Sequence, residues 1–157
     1  MTAGDLFRRI ITALGQAGIP HMLAGSFASA YHGSPRATQD IDLVIEADAD
    51  RIRTLVESLP VEAYYVDRDA ALAALQSEGQ FNVIDLASGW KIDLMIRKAR
   101  PFSREEFTRR RPANLQGVSI DVVTVRGREL DIGRVERWVQ AFGLDSEWMA
   151  AREMVDA

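Results

Sequence analysis

Residues 40 to 47 read DIDLVIEA, an apolar run that carries two aspartates one residue apart. Aspartate is depleted in strands, and side chains two apart on a strand share a face. Asp40 and Asp42 therefore project together, while Ile41 and Leu43 turn the other way into a core. Either the turn marked by Gly33 and Pro35 spills into the strand, or the two carboxylates hold something. Like charges this close favour a cation between them.

A second stretch repeats the pattern. In WKIDLMI, residues 90 to 96, Lys91 and Asp93 share one face and Ile92 and Leu94 the other. If the two strands are neighbours, Asp93 joins the aspartate pair. Three carboxylates on a rigid sheet make an oxygen-only site. That suits Mg²⁺, which takes a few carboxylates and completes its shell with water and substrate phosphates. A phosphate cradle is expected nearby. In LAGSFASA, residues 23 to 30, a strand ends at Gly25, where the backbone permits close approach. Ser26 then opens a short helix whose first N–H groups bind anions. Arg36 and Lys91 are further candidate phosphate partners, and Arg36 equally fits a role in stabilising the turn.

Together these features point to nucleotidyl transfer. Two metal ions about 4 Å apart clamp an α-phosphate for in-line displacement. On this expectation Asp40 and Asp42 would hold both ions, and Asp93 would hold the activating one and accept the nucleophile's proton. Each piece alone is weak, since Gly-Ser is a common turn. Asp-x-Asp also occurs at solvent-facing strand edges, in calcium loops and in sugar transferases. The specific signal is their order along the chain.

The rest of the chain supplies a frame. Leu6, Ile10 and Leu14, with Phe7 and Ile11 beside them, predict an amphipathic helix over residues 4 to 17, ended by Gly18 and Pro20. HMLAG predicts a short buried strand, and FASAYHG one or two helical turns. Asp48 or Asp50 caps a helix through RIRTLVESL, where Ile52, Leu55, Val56 and Leu59 share a face. VEAYYVD predicts a strand and AALAALQSE an alanine-rich helix. FNVIDL and WKIDLMI flank the hairpin turn Ala87-Ser88-Gly89. Ser103 and Glu106 have capping-box spacing. GVSIDVVTV predicts a last strand. Val135, Trp138, Val139 and Phe142 then form a helical stripe for a core or a subunit interface, and a short helix follows Asp145. The expected fold is α/β (α+β): a mixed, twisted sheet of about five strands with helices mainly on one side. One domain is expected over residues 1 to 157, with its core over about 19 to 125 and a short C-terminal helical part over about 129 to 156.

Other residues take plainer roles. Asp85 is read as an exposed strand residue paired with a basic neighbour, or as a further ligand. Thr38 shapes the turn into the strand. His21 reads as a core or edge histidine and His32 as a surface one. Trp90 packs in the core or stacks on a base.

Composition narrows the classes. With no cysteine, disulfides, thiolate zinc sites and cysteine nucleophiles are excluded, and two histidines leave no histidine-rich metal site. A net charge of −4 confines any nucleic-acid contact to a local patch. Residues 97 to 111 offer one, with Arg97, Lys98, Arg100, Arg104, Arg109, Arg110 and Arg111 against Glu105 and Glu106. It reads equally as a surface for RNA phosphates or a solvated helix face. No apolar run approaches the roughly 18 residues of a membrane span. The opening MTAGDLFRRIITALG lacks a signal-peptide core, so a cytoplasmic protein is expected.

The stretch LAGSFASAYHGSPRATQDIDLVI resembles the signature of the polymerase-beta-like nucleotidyltransferase superfamily: Gly-Ser, a spacer, Asp-x-Asp, and a third Asp on a later strand, as in KIDLMI. The longer spacer and the Arg-x-Thr-x-Asp-Ile-Asp form look like the AbiEii-type abortive-infection branch, which includes toxins of toxin–antitoxin pairs. The shorter-spaced antitoxins that partner HEPN ribonucleases fit less well. ARPFSREEFTRRRP and VRGRELDIGRVERWVQAFGL also look like this branch, although the resemblance is firm only over residues 19 to 96. Relatives usually insert a long helical segment between a strand like IDVVT and a stretch like RGRELD; here one runs into the other, which shortens the C-terminal helical part. The resemblance implies transfer of a nucleoside monophosphate from an NTP such as ATP to a hydroxyl of RNA (tRNA) or protein. It implies two Mg²⁺ ions, with Mn²⁺ as a substitute, and a cognate toxin or antitoxin as partner. The shortened C-terminal part motivates the alternative, a non-catalytic nucleotide- or partner-binding module of such a pair.

Overall fold

The computed structural model describes residues 3–25, 40–115 and 117–123. Helix α1 (Ala3–Gln16) buries Leu6, Phe7, Ile10 and Leu14, as their spacing predicts. Gly18, at φ 68°, ends the turn that follows α1, in a conformation glycine adopts without steric cost. The chain continues through β1 (His21–Ala24), β2 (Asp40–Ile45), α2 (Ala49–Ser58), β3 (Tyr64–Val66), α3 (Arg68–Ser77), β4 (Gln80–Asp85) and β5 (Lys91–Ile96). It ends its described course with α4 (Pro101–Thr108), β6 (Arg111–Leu115) and β7 (Val118–Val122). Of the two candidate caps for α2, Asp48 takes the role: its carboxylate accepts from the Arg51 N–H at 2.9 Å. Asp67 does the same for α3 through the Ala70 N–H.

The strands form one mixed seven-stranded sheet in the order β3-β4-β5-β2-β1-β7-β6. β2 runs parallel to β5 and β1 parallel to β7; the remaining neighbours are antiparallel. One face is apolar. Ile41, Leu43 and Ile45 from β2 and Ile92, Leu94 and Ile96 from β5 join Leu6, Ile10 and Leu14 of α1, Ile52 and Leu55 of α2, and Ala71 and Ala74 of α3 in one core. A one-residue slip of β2 would turn its three apolar side chains outward, at a cost of roughly 5–9 kcal/mol. The core therefore holds the register that positions the polar face.

The structure departs from the sequence expectation in three places. The described residues form seven strands rather than about five. β6, RPANL, lacks β-branched residues and contains Pro112, which a sheet accepts because β6 lies at the edge. The Ser103–Glu106 capping box does not form. α4 starts at Pro101, whose missing N–H costs nothing in the first turn, and the Ser103 hydroxyl instead accepts from Arg100 Nε at 2.9 Å. Asp85 is neither exposed nor placed as a ligand, as described below. The helical turns expected over residues 27 to 33 and the C-terminal helices over about 129 to 156, with their Val135 stripe, lie outside the described residues. Among the described residues, no helix is long and apolar enough to cross a membrane.

Candidate active site

The parallel pairing of β2 with β5 sets Asp40 opposite Lys91 and Asp42 opposite Asp93. All four side chains leave the face that the core does not use. The row through Asp42 and Asp93 extends both ways: Ala24 on β1 is opposite Asp42, and Asn82 on β4 is opposite Asp93. Asn82 is a polar member of the site that the sequence analysis missed. Its place could not be read from the chain, since counting back evenly across the Ala87-Ser88-Gly89 turn sets Val83 opposite Asp93, and the register that forms is one residue off and brings Asn82 there instead.

Lys91 ties the site together. Its Nζ lies 3.3 Å from Asp93 Oδ2 and 3.7 Å from Asp40 Oδ2. The hydrogen bond to Asp93 and that carboxylate's charge hold the Lys91 ammonium above its usual range, and Asp40 and Asp42 add to this. Asp93 is 8% exposed, and its other oxygen, Oδ1, is buried with no hydrogen-bond partner among the described residues. Leaving such an atom unsatisfied costs about 1–3 kcal/mol or more for a charged group. Asp42 packs against Gly25, which has φ 64°. A Cβ at position 25 would stand 2.7 Å from Asp42 Cγ and 2.9 Å from its Cβ, so the aspartate occupies space that only glycine leaves open.

These donors fit a divalent cation in kind: hard oxygens, one buried and unpartnered, beside a position that already attracts a positive charge. Among the described residues, however, no three metal-ligating side chains converge closely enough to hold an ion. The ammonium of Lys91 bridges Asp40 and Asp93, and Asp42 is turned onto Gly25.

The remaining candidates are distributed as follows. Ser26, Arg36, Thr38 and His32 lie outside the described residues. Asp85 is 1% exposed; its carboxylate accepts from both the N–H and the hydroxyl of Ser88, so it organises the hairpin turn. Trp90 is half-buried against the core. His21, at the start of β1, has Nδ1 2.8 Å from the Ile19 carbonyl oxygen. In the basic segment, Arg97 pairs with Glu46 at 3.1 Å, Arg109 with Glu105 at 3.2 Å and Arg110 with Asp121 at 2.9 Å. Arg97 follows the far end of β5, about 20 Å along the strand from Lys91, so the segment does not begin beside the aspartates.

Neither a protein-family model nor a curated protein matches the chain. Several solved structures are similar to the chain, among them the following two. One is a Thermotoga maritima protein provisionally assigned as a nucleotidyltransferase, 16% identical, covering 96% of each chain with a TM-score of 0.49. The other is the lincosamide antibiotic adenylyltransferase LnuA with lincomycin bound, 11% identical, covering 79% of this chain and 81% of its own, with a TM-score of 0.52. The chain has a nucleotidyltransferase-like fold. At this identity the likeness to LnuA concerns the architecture, and the chemistry rests on the residues of the site.

Proposed function

We propose that the protein moves a nucleoside monophosphate from an NTP, with ATP the first candidate, to a hydroxyl of RNA (tRNA) or protein, forming the new phosphoester bond as the α–β phosphoanhydride bond breaks and pyrophosphate leaves. The observation that carries this is the shared rung of Asp42 and Asp93, with a buried Asp93 oxygen that lacks a partner. Asp40, Asp42 and Asp93 would hold Mg²⁺, which supplies charge neutralisation at the α-phosphate. Gly25, Ser26 and Arg36 bind the phosphates, and Lys91 gives a mobile positive charge for the same purpose. Asp93 accepts the proton of the attacking hydroxyl. The sequence resemblance supports placement in the AbiEii-type branch and a role within a toxin–antitoxin pair.

The test is transfer of label from α-labelled NTPs to tRNA and to protein acceptors. Label should appear on one of them in the presence of Mg²⁺ and vanish with Asp42→Ala. Label that persists in that variant rejects the mechanism.

One observation favours a second reading. Lys91 bridges two of the three carboxylates, an arrangement that suits a non-catalytic module binding a nucleotide or a partner toxin or antitoxin. That reading predicts nucleotide or partner binding that survives simultaneous loss of Asp40, Asp42 and Asp93.

A further inference from the structure

Asp40 and Asp93 stand on neighbouring strands, with one ammonium reaching both. That ammonium is tethered, so its local concentration at the carboxylates is high. It is also able to move: the Lys91 side chain is 36% exposed on a flexible stem, and its pair with the exposed Asp40 contributes little to stability. It leaves the site incomplete, since Asp93 Oδ1 stays without a partner while Oδ2 faces Lys91. A divalent cation bound by these carboxylates and the ammonium would repel one another at this range.

The geometry points to Lys91 as a built-in counter-ion that must leave before a divalent cation enters, so that metal and nucleotide load together. This rests on the nucleotidyl-transfer reading and adds to it a loading order. Metal alone competes with a tethered positive charge and binds weakly. Nucleotide phosphates give the ammonium a new anionic partner, draw it from Asp40 and Asp93, and open the carboxylates to the ion. By reciprocity, metal then tightens nucleotide binding by the same factor. Lysine suits this role better than arginine, because a compact ammonium on a long stem changes partners without breaking a planar, two-pronged bond.

The test is Mn²⁺ binding, read from the electron paramagnetic resonance signal of the free ion. It is run with and without a non-hydrolysable ATP analogue, on the unaltered protein, Lys91→Met, Lys91→Gln and Lys91→Arg. Lys91→Gln serves as a second neutral variant should Lys91→Met not fold. The neutral variants should bind Mn²⁺ alone about tenfold more tightly than the unaltered protein, within the usual range of coupling between sites. Lys91→Arg should not. The analogue should tighten Mn²⁺ binding less in the neutral variants than in the unaltered protein. If the unaltered protein binds Mn²⁺ with the analogue but neutral variants bind Mn²⁺ alone no more tightly, the counter-ion role is wrong and the transfer reading stands. If no form binds Mn²⁺ under either condition, both fall.

Discussion

Asp42 on β2 and Asp93 on β5 are direct partners on one rung of a parallel ladder. Their strands lie about 4.8 Å apart, and the core under Leu43 and Leu94 prevents either strand from slipping.

Two carboxylates on the same rung act as a unit. Asp42→Asn and Asp93→Asn should each lower transfer by at least about 10–100-fold, the loss typical even of residues that only support a metal's ligands. The double variant should be little worse than either single one. Initial rates on the three variants, with circular dichroism to confirm the fold, test this. Losses that multiply would show the two groups act separately.

Gly25→Ala should destabilise the protein by about 1–3 kcal/mol, because it forces a side chain into φ 64°. The clash with Asp42 adds to this, since its Cβ is fixed to the strand and cannot rotate away. Urea denaturation of Gly25→Ala, Asp42→Ala and the double variant should show a coupling above about 0.5 kcal/mol. Simple additivity would mean the contact with Asp42 carries no energy.

Asp85 is a turn organiser, so its loss should cost stability and spare nucleotide binding. Asp85→Ala leaves the Ser88 N–H and hydroxyl without their acceptor and should cost about 1–3 kcal/mol. Calorimetric NTP titration of the folded variant should match that of the unaltered protein; a large drop in affinity would restore Asp85 as a candidate ligand.

The two aspartates at the start of α2 should separate cleanly. Asp48→Ala removes the cap on the Arg51 N–H and should cost about 1 kcal/mol. Asp50→Ala loses an exposed ion pair with Arg53 and should cost less, about 0–1 kcal/mol. Thermal melts of the two variants decide it, and equal losses would contradict the cap assignment.

Much of the fold was legible because its signals are local. The spacing of Leu6, Ile10 and Leu14 marks α1, and the turn at Ala87-Ser88-Gly89 marks the hairpin of β4 and β5. What escaped was structure that depends on distant partners. RPANL is a strand only because β7 offers an edge on which Pro112 needs no N–H. Ser103 looked like a cap until Pro101 started the helix two residues earlier. Asp85 looked exposed until Ser88 folded back onto it.

The amino-acid order alone determined which side chains share a face. In DIDLVI and KIDLMI the period of two is a property of the extended backbone, so Asp40 with Asp42, and Lys91 with Asp93, follow from the chain itself. Only the tertiary structure decided that these strands are parallel neighbours with Asp42 level with Asp93, that Asn82 completes the row, and that Lys91 bridges Asp40 and Asp93. Register between strands far apart in sequence is chosen by how their apolar faces pack against α1, α2 and α3, and that packing exists only once the chain has folded.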